Sequence, residues 1–163
     1  MTIMKIRNSG FTIVELLIVI VVVAVLAAIS VVAYNGIQSR AIISKTKSDL
    51  AAFQRLLELY KADNGTYPIS LSSGTQWDRQ TPATKDTFIV GVVPMYTPGL
   101  PIVTDGSGQY LYISAGSEYK MIKYRSGGLS ATEWNSVPAE MKDHRESMKD
   151  RYGVWSAGGG GLG

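Results

Sequence analysis

Eighteen consecutive positions, Leu16 to Ala33, hold a single polar side chain, the Ser30 hydroxyl. At a rise of about 1.5 Å per residue the run makes a helix of about 27 Å, against a bilayer hydrocarbon core of about 30 Å. Phe11 to Val14 lengthen the span. Beyond Ala33 the pattern becomes amphipathic: Ile43, Leu50, Phe53, Leu57 and Tyr60 recur at spacings of 7, 3, 4 and 3, which is one helix face. Lys45, Lys47, Asp49, Arg55, Glu58 and Lys61 fall largely off that stripe and read as a solvated face. Glu58 and Lys61 are spaced to pair there, for about 0.2–0.5 kcal/mol. No proline lies between Phe11 and Asn64, so one long helix is predicted over residues 11 to about 63. The Val and Ile of its first half are weak helix formers in water. In lipid the backbone has to satisfy itself, and helix results. Gly36 is either a tolerated surface glycine or a flexible point in this rod. Asn64-Gly65 is a helix stop.

The second half of the chain changes period. Residues 69–87 are a Ser/Thr-rich connector with Gly74 and Pro82, and Trp77 caps the core edge. Phe88 to Val93 is β-branched and ends before Pro94, which predicts a strand; residues 94–101 are irregular. Gln109 to Ser114 alternates, Tyr110 and Tyr112 on one face and Leu111 and Ile113 on the other. Ala115-Gly116-Ser117 turns the chain, and Glu118 to Tyr124 alternates again. The two segments predict an antiparallel hairpin. After Pro138, Ala139 to Arg151 reads as a short charged helix. Met141, Met148, Tyr152 and Trp155 recur at 7, 4 and 3 and form a docking face. Ala157 to Gly163, nearly all glycine, reads as disordered. The fold class is α+β: a long N-terminal helix whose second half packs on a small antiparallel sheet.

Length and charge refine this picture modestly. A chain of 163 residues suits one domain plus an anchor. The formal net charge is +3, two units of it from Lys5 and Arg7, so the basic pI does not argue for nucleic-acid binding. There is no cysteine, hence no disulfide staple and no thiol chemistry.

Glu15 is the anomaly. A carboxylate at the head of a membrane helix is costly unless it is paired or neutralised. A cleaved secretory signal would explain Lys5, Arg7 and a small-residue site at Val31-Val32-Ala33, but its apolar region is shorter, about 7–15 residues. A plain single-pass anchor explains the length and the basic flank but not Glu15.

A basic leader, Gly10, Phe11, Thr12-Ile13-Val14, Glu15 and then the apolar run together resemble the N-terminus of type IV prepilins and type II secretion pseudopilins. The resemblance is strong over residues 5–35. It implies a leader at 1–10, a transmembrane and filament-core helix at 11–35, and a globular domain at 36–163. It implies cleavage by a prepilin peptidase between Gly10 and Phe11, N-methylation of Phe11, and pairing of Glu15 with the amino group of Phe11 on a neighbouring subunit. The implied partners are further copies of the chain, the peptidase, an assembly platform with its ATPase, and membrane lipid before assembly. The implied location is the cytoplasmic membrane, then the cell surface. Many Gram-negative pilins carry a cysteine pair near the C-terminus, and this chain departs from that. The string Tyr60-Lys61-Ala62-Asp63-Asn64-Gly65-Thr66-Tyr67-Pro68 resembles the helix exit of the same family. So does the Tyr-x-Tyr strand after the loop Asp105-Gly106-Ser107-Gly108. Some pseudopilins bind Ca²⁺ in this region, but Ca²⁺ takes six to eight oxygens and Asp105 stands almost alone, so a glycine turn is expected and no metal site.

The leading expectation is the subunit of a type IV pilus. The alternatives are a pseudopilin of a type II secretion or DNA-uptake system, and a membrane-anchored binding module. No enzyme is expected: His144, the only histidine, sits in a charged segment with no triad context, and Gly158 to Gly161 lacks the strand and helix of a phosphate loop. No cofactor is implied. Lys120, Lys123 and Arg125 read as a solvated strand face in preference to a DNA-binding patch.

Overall fold

The structure is a computed structural model that describes residues 11–71, 74–103, 106, 108–143 and 149–162. Helix α1 spans Ile13–Asn64. The chain divides into two units, one ending at Gln38 and one comprising Ser39–Gly163.

In the first unit the described side chains from Phe11 to Val31 are exposed. The hydroxyl of Ser30 donates to the carbonyl of Leu26 at 2.8 Å, so the one polar side chain of the apolar run is satisfied within its own helix. The helix continues through Gly36 without a break.

In the second unit the expected stripe is the core face. Leu50, Phe53 and Leu57 are fully buried and Ile43 nearly so. The helix ends as the sequence indicated: Gly65 has φ +78 and its N–H donates to the carbonyl of Lys61 at 2.8 Å. A left-handed residue is tolerated there because glycine has no Cβ.

The stripe packs on a four-stranded antiparallel sheet of order β1-β2-β3-β4: β1 Asp78–Arg79, β2 Gln109–Ser114, β3 Tyr119–Tyr124 and β4 Arg151–Trp155. Tyr112 pairs with Met121, and Met121 in turn with Val154. Tyr110, Tyr112, Tyr119, Met121 and Tyr152 form the inner face with Phe53 and Phe88. The Phe53 ring meets Tyr110 edge-on at 5.1 Å and Phe88 at 6.0 Å. The alternate positions Leu111, Ile113, Lys120 and Ile122 are buried as well, so both faces of the central hairpin are covered.

Three expectations for the second half fail. Phe88 to Val93 is a series of turns, not a strand. Its bonds are local, Phe88 N–H to the Thr84 carbonyl and Tyr96 N–H to the Val92 carbonyl. Gly91 at φ +80 further breaks any extended path. Phe88, Ile89 and Val92 are still core residues; a short apolar run does not by itself distinguish a strand from a buried turn. Nor is the expected helix over 139–151 found among the described residues of that segment. Ala139–Met141 is one 3₁₀ turn, and Tyr152 and Trp155 lie on β4, while Met148 lies outside the described residues. A helix does form earlier: α2, Ala131–Ser136, is closed by a Ser130/Glu133 capping box. Lastly, residues 157–162 of the glycine tail are ordered, with a 3₁₀ turn at Gly159–Gly161.

Candidate functional site

The head of α1 is built by four residues. Phe11 precedes the helix and is 83 % exposed. Thr12 is the N-cap: its carbonyl accepts the first helical bond, from the N–H of Leu16 at 3.2 Å. Its hydroxyl accepts from the N–H of Glu15 at 3.2 Å and donates to Glu15 Oε2 at 2.7 Å. The same carboxylate oxygen accepts from the N–H of Thr12 at 2.8 Å. Thr12 and Glu15 therefore form a reciprocal capping box. Two helix-end donors are satisfied, and the carboxylate sits at the positive end of the helix dipole. The pattern Thr12-x-x-Glu15 was visible in the sequence as a capping signature; the reading of Glu15 as a lone charge overlooked Thr12. Gly10 lies outside the described residues. Behind the head, the helix is long and apolar enough to cross a membrane, and its described side chains from Phe11 to Val31 are exposed.

The helix exit is the second place where the sequence reading pointed. Tyr67 is buried and its hydroxyl donates to Glu58 Oε1 at 2.9 Å. The ammonium of Lys61 lies 3.4 Å from that hydroxyl and 4.3 Å from the ring centroid. Glu58 and Lys61 meet through the tyrosine rather than as a bare helix pair. The Tyr67 ring packs edge-on to Tyr119 at 4.7 Å, and the Tyr112 hydroxyl donates to the Pro68 carbonyl at 2.6 Å. Thr66-Tyr67-Pro68 is thus a clasp between helix and hairpin, which explains the string in packing terms. Trp77, expected at the core edge, is half-buried.

The basic strand residues are corrected in both senses. Lys120 and Lys123 are only 1 % and 4 % exposed, and are neither a DNA patch nor a solvated face. Lys120 pairs with Asp143 at 2.9 Å, and Lys123 donates to the Thr46 hydroxyl at 3.1 Å. Arg125 pairs with Glu133 at 2.7 Å. Three residues apart on β3, Lys120 and Lys123 lie on opposite faces, Lys120 beside Ile113 and Lys123 beside Tyr110, and both faces of that strand are covered. Among the described residues no group of three or more His, Asp or Glu side chains is placed to hold a metal. Asp105 and His144 lie outside them.

A family model described as "Prokaryotic N-terminal methylation motif" matches residues 5–31. The chain carries a prepilin-type N-terminus. The matched interval takes in the Thr12/Glu15 box and most of the apolar run. The chain is 41 % identical over 64 residues to the "Type II secretion system core protein G" of Aeromonas hydrophila, covering 39 % of this chain and 45 % of that one. It is 42 % identical over 62 residues to the protein of the same name from Klebsiella pneumoniae, covering 38 % and 44 %. Against that of Escherichia coli (strain K12) the figures are 39 % over 62 residues, covering 38 % and 43 %. The chain spans less than half the length of these curated relatives. No solved structure gives a significant match.

Proposed function

We propose that this chain is a pseudopilin-like filament subunit of a type II secretion or related system. In this reading residues 1–10 are the leader, 11–35 the membrane and filament-core helix, and 36–163 the globular domain. A prepilin peptidase cuts after Gly10, and Phe11 becomes the N-methylated terminus. The observation that carries the reading is the similarity to secretion core proteins in a chain whose N-terminal segment holds the methylation motif. The same similarity favours the secretion reading over the subunit of a surface type IV pilus, which the motif alone leaves open.

The physical scheme is transfer of an apolar rod from lipid into a bundle of like rods. Before assembly the capping box gives the Glu15 carboxylate a partner in its own chain. After cleavage, the amine of Phe11 on a neighbouring copy offers a charged partner. A buried charge without a partner is strongly destabilising, so only staggers that bring amine and carboxylate together are populated. Charge pairing sets register while apolar packing supplies affinity. Further partners in this scheme are the assembly platform and its ATPase. The location is the cytoplasmic membrane, then a filament reaching outward.

N-terminal sequencing of the membrane-extracted protein, combined with electron microscopy of sheared cell-surface material and a secretion assay in a deletion strain, tests this. The expected result is a chain starting at methylated Phe11, loss of secretion on deletion, and no long surface fibres of this subunit. Abundant long fibres with intact secretion would transfer the chain to the type IV pilus reading. A mature chain that keeps residues 1–10 would make it an anchored binding module instead.

A further inference from the structure

Sequence composition marks residues 157–163 as a flexible glycine tail, yet its described part, 157–162, is packed closely on β3. The Ser156 hydroxyl accepts from the N–H of Tyr119 at 2.9 Å, and the Ser156 N–H donates to the Tyr119 carbonyl at 3.2 Å. A Cβ at Gly159 would lie 2.1 Å from the Tyr119 carbonyl oxygen. At Gly158, where φ is +91, it would lie 2.5 Å from a Glu118 carboxylate oxygen. Glycine is therefore required at 159 by close backbone approach and at 158 by its positive φ, the opposite of a spacer.

One charged side chain fastens this segment. The ammonium of Lys120, 1 % exposed, donates to the carbonyls of Gly160 at 3.0 Å and Leu162 at 3.2 Å, and pairs with Asp143 at 2.9 Å. These three contacts match the three donors of an ammonium group. The Trp155 ring lies 5.8 Å from the same nitrogen. Asp143 is itself 2 % exposed. Apart from that charge, the segment is held by Ser156 and by weak local turns: Gly159 to Ser156, Gly161 to Gly158 and Leu162 to Gly159. No cysteine is available to tie it covalently.

We propose that Lys120 is a latch. Its ammonium fastens the C-terminal strap, residues 156–162, on the outer face of β3, and the strap lifts as a local unit while the hairpin stays folded. Two features support separability. The strap adds no strand to the sheet, and its internal bonds reach no further than three residues. The hairpin, by contrast, has a full antiparallel ladder from Gln109–Tyr124 to Ser114–Tyr119. Segments with few non-local bonds open at lower free energy than ladder strands.

Amide hydrogen exchange on the full chain in detergent micelles tests the latch. Removing Lys120 alone would take an ammonium partner from the buried Asp143 carboxylate, so the variant of choice is Lys120→Met with Asp143→Leu. The amides of Gly159, Gly161 and Leu162 should exchange about tenfold faster or more, with those of Leu111 and Met121 within about twofold of wild type. Unchanged strap exchange in the folded variant overturns the proposal, as does an equal acceleration of strap and hairpin. Should the variant not fold, wild-type exchange under low urea decides. Strap amides should be insensitive to urea while hairpin amides accelerate, since only openings that expose much surface respond to denaturant. A shared urea dependence would overturn it.

Discussion

Thr12 and Glu15 hold each other at the head of α1: Glu15 Oε2 lies 2.8 Å from the Thr12 nitrogen and 2.7 Å from its hydroxyl. The carboxylate that looked costly in a membrane helix is already bonded within its own chain. In the filament scheme Glu15 then has two alternative partners, one internal and one on a neighbour. Glu15→Val is expected to leave membrane insertion and leader cleavage intact and to reduce filament assembly strongly. Immunoblotting of the processed form beside sheared filaments measures both. Wild-type filament yield from Glu15→Val would remove the assembly role.

The Tyr67 hydroxyl ties the helix exit to the hairpin through Glu58. Tyr67→Phe keeps the ring contact with Tyr119 and loses that bond. The expected cost is about 1 kcal/mol of stability, read as a lower urea midpoint at unchanged slope. An unchanged midpoint would mean that the clasp is held by the ring alone.

Gly65 occupies the left-handed position after α1, with open space where a Cβ would go. Gly65→Ala is therefore a test of backbone conformation without a clash. A loss of about 1 kcal/mol is expected, measured by thermal unfolding. No loss would show that the helix exit relaxes to another conformation.

The domain should unfold in alkali. Burial pushes the Tyr110, Tyr112 and Tyr119 hydroxyls well above the ordinary tyrosine range, and the Asp49 carboxylate that accepts from Tyr110 adds to the effect there. Their folded values lie above the unfolded value of about 10. Stability is therefore full below about pH 10 and falls as pH rises beyond it, by up to about 1.4 kcal/mol per pH unit for each such tyrosine. Tyrosinate absorbance and circular dichroism should change together in a pH titration. Ionisation of all tyrosines without loss of structure would contradict the burial.

The chain-local features were legible because they depend on neighbours in sequence. The apolar run, the stripe from Ile43 to Tyr60, the stop at Asn64-Gly65, the hairpin of Gln109 to Tyr124 and the head motif all follow from period, caps and turn chemistry. The capping box of Thr12 was legible too and was passed over because Glu15 was weighed only as a charge. What the sequence by itself could not decide was how many faces of each strand are covered and what lies on them. Lys120 and Lys123 were read as one solvated face although a separation of three puts them on opposite faces of a strand, and a period does not show whether water or protein lies opposite. Phe88 to Val93 and the glycine tail depend on distant partners: the first turns into the core between α1 and the sheet, the second lies flat on the Tyr119 backbone. Those outcomes rest on long-range packing, where burial and close approach override local propensity.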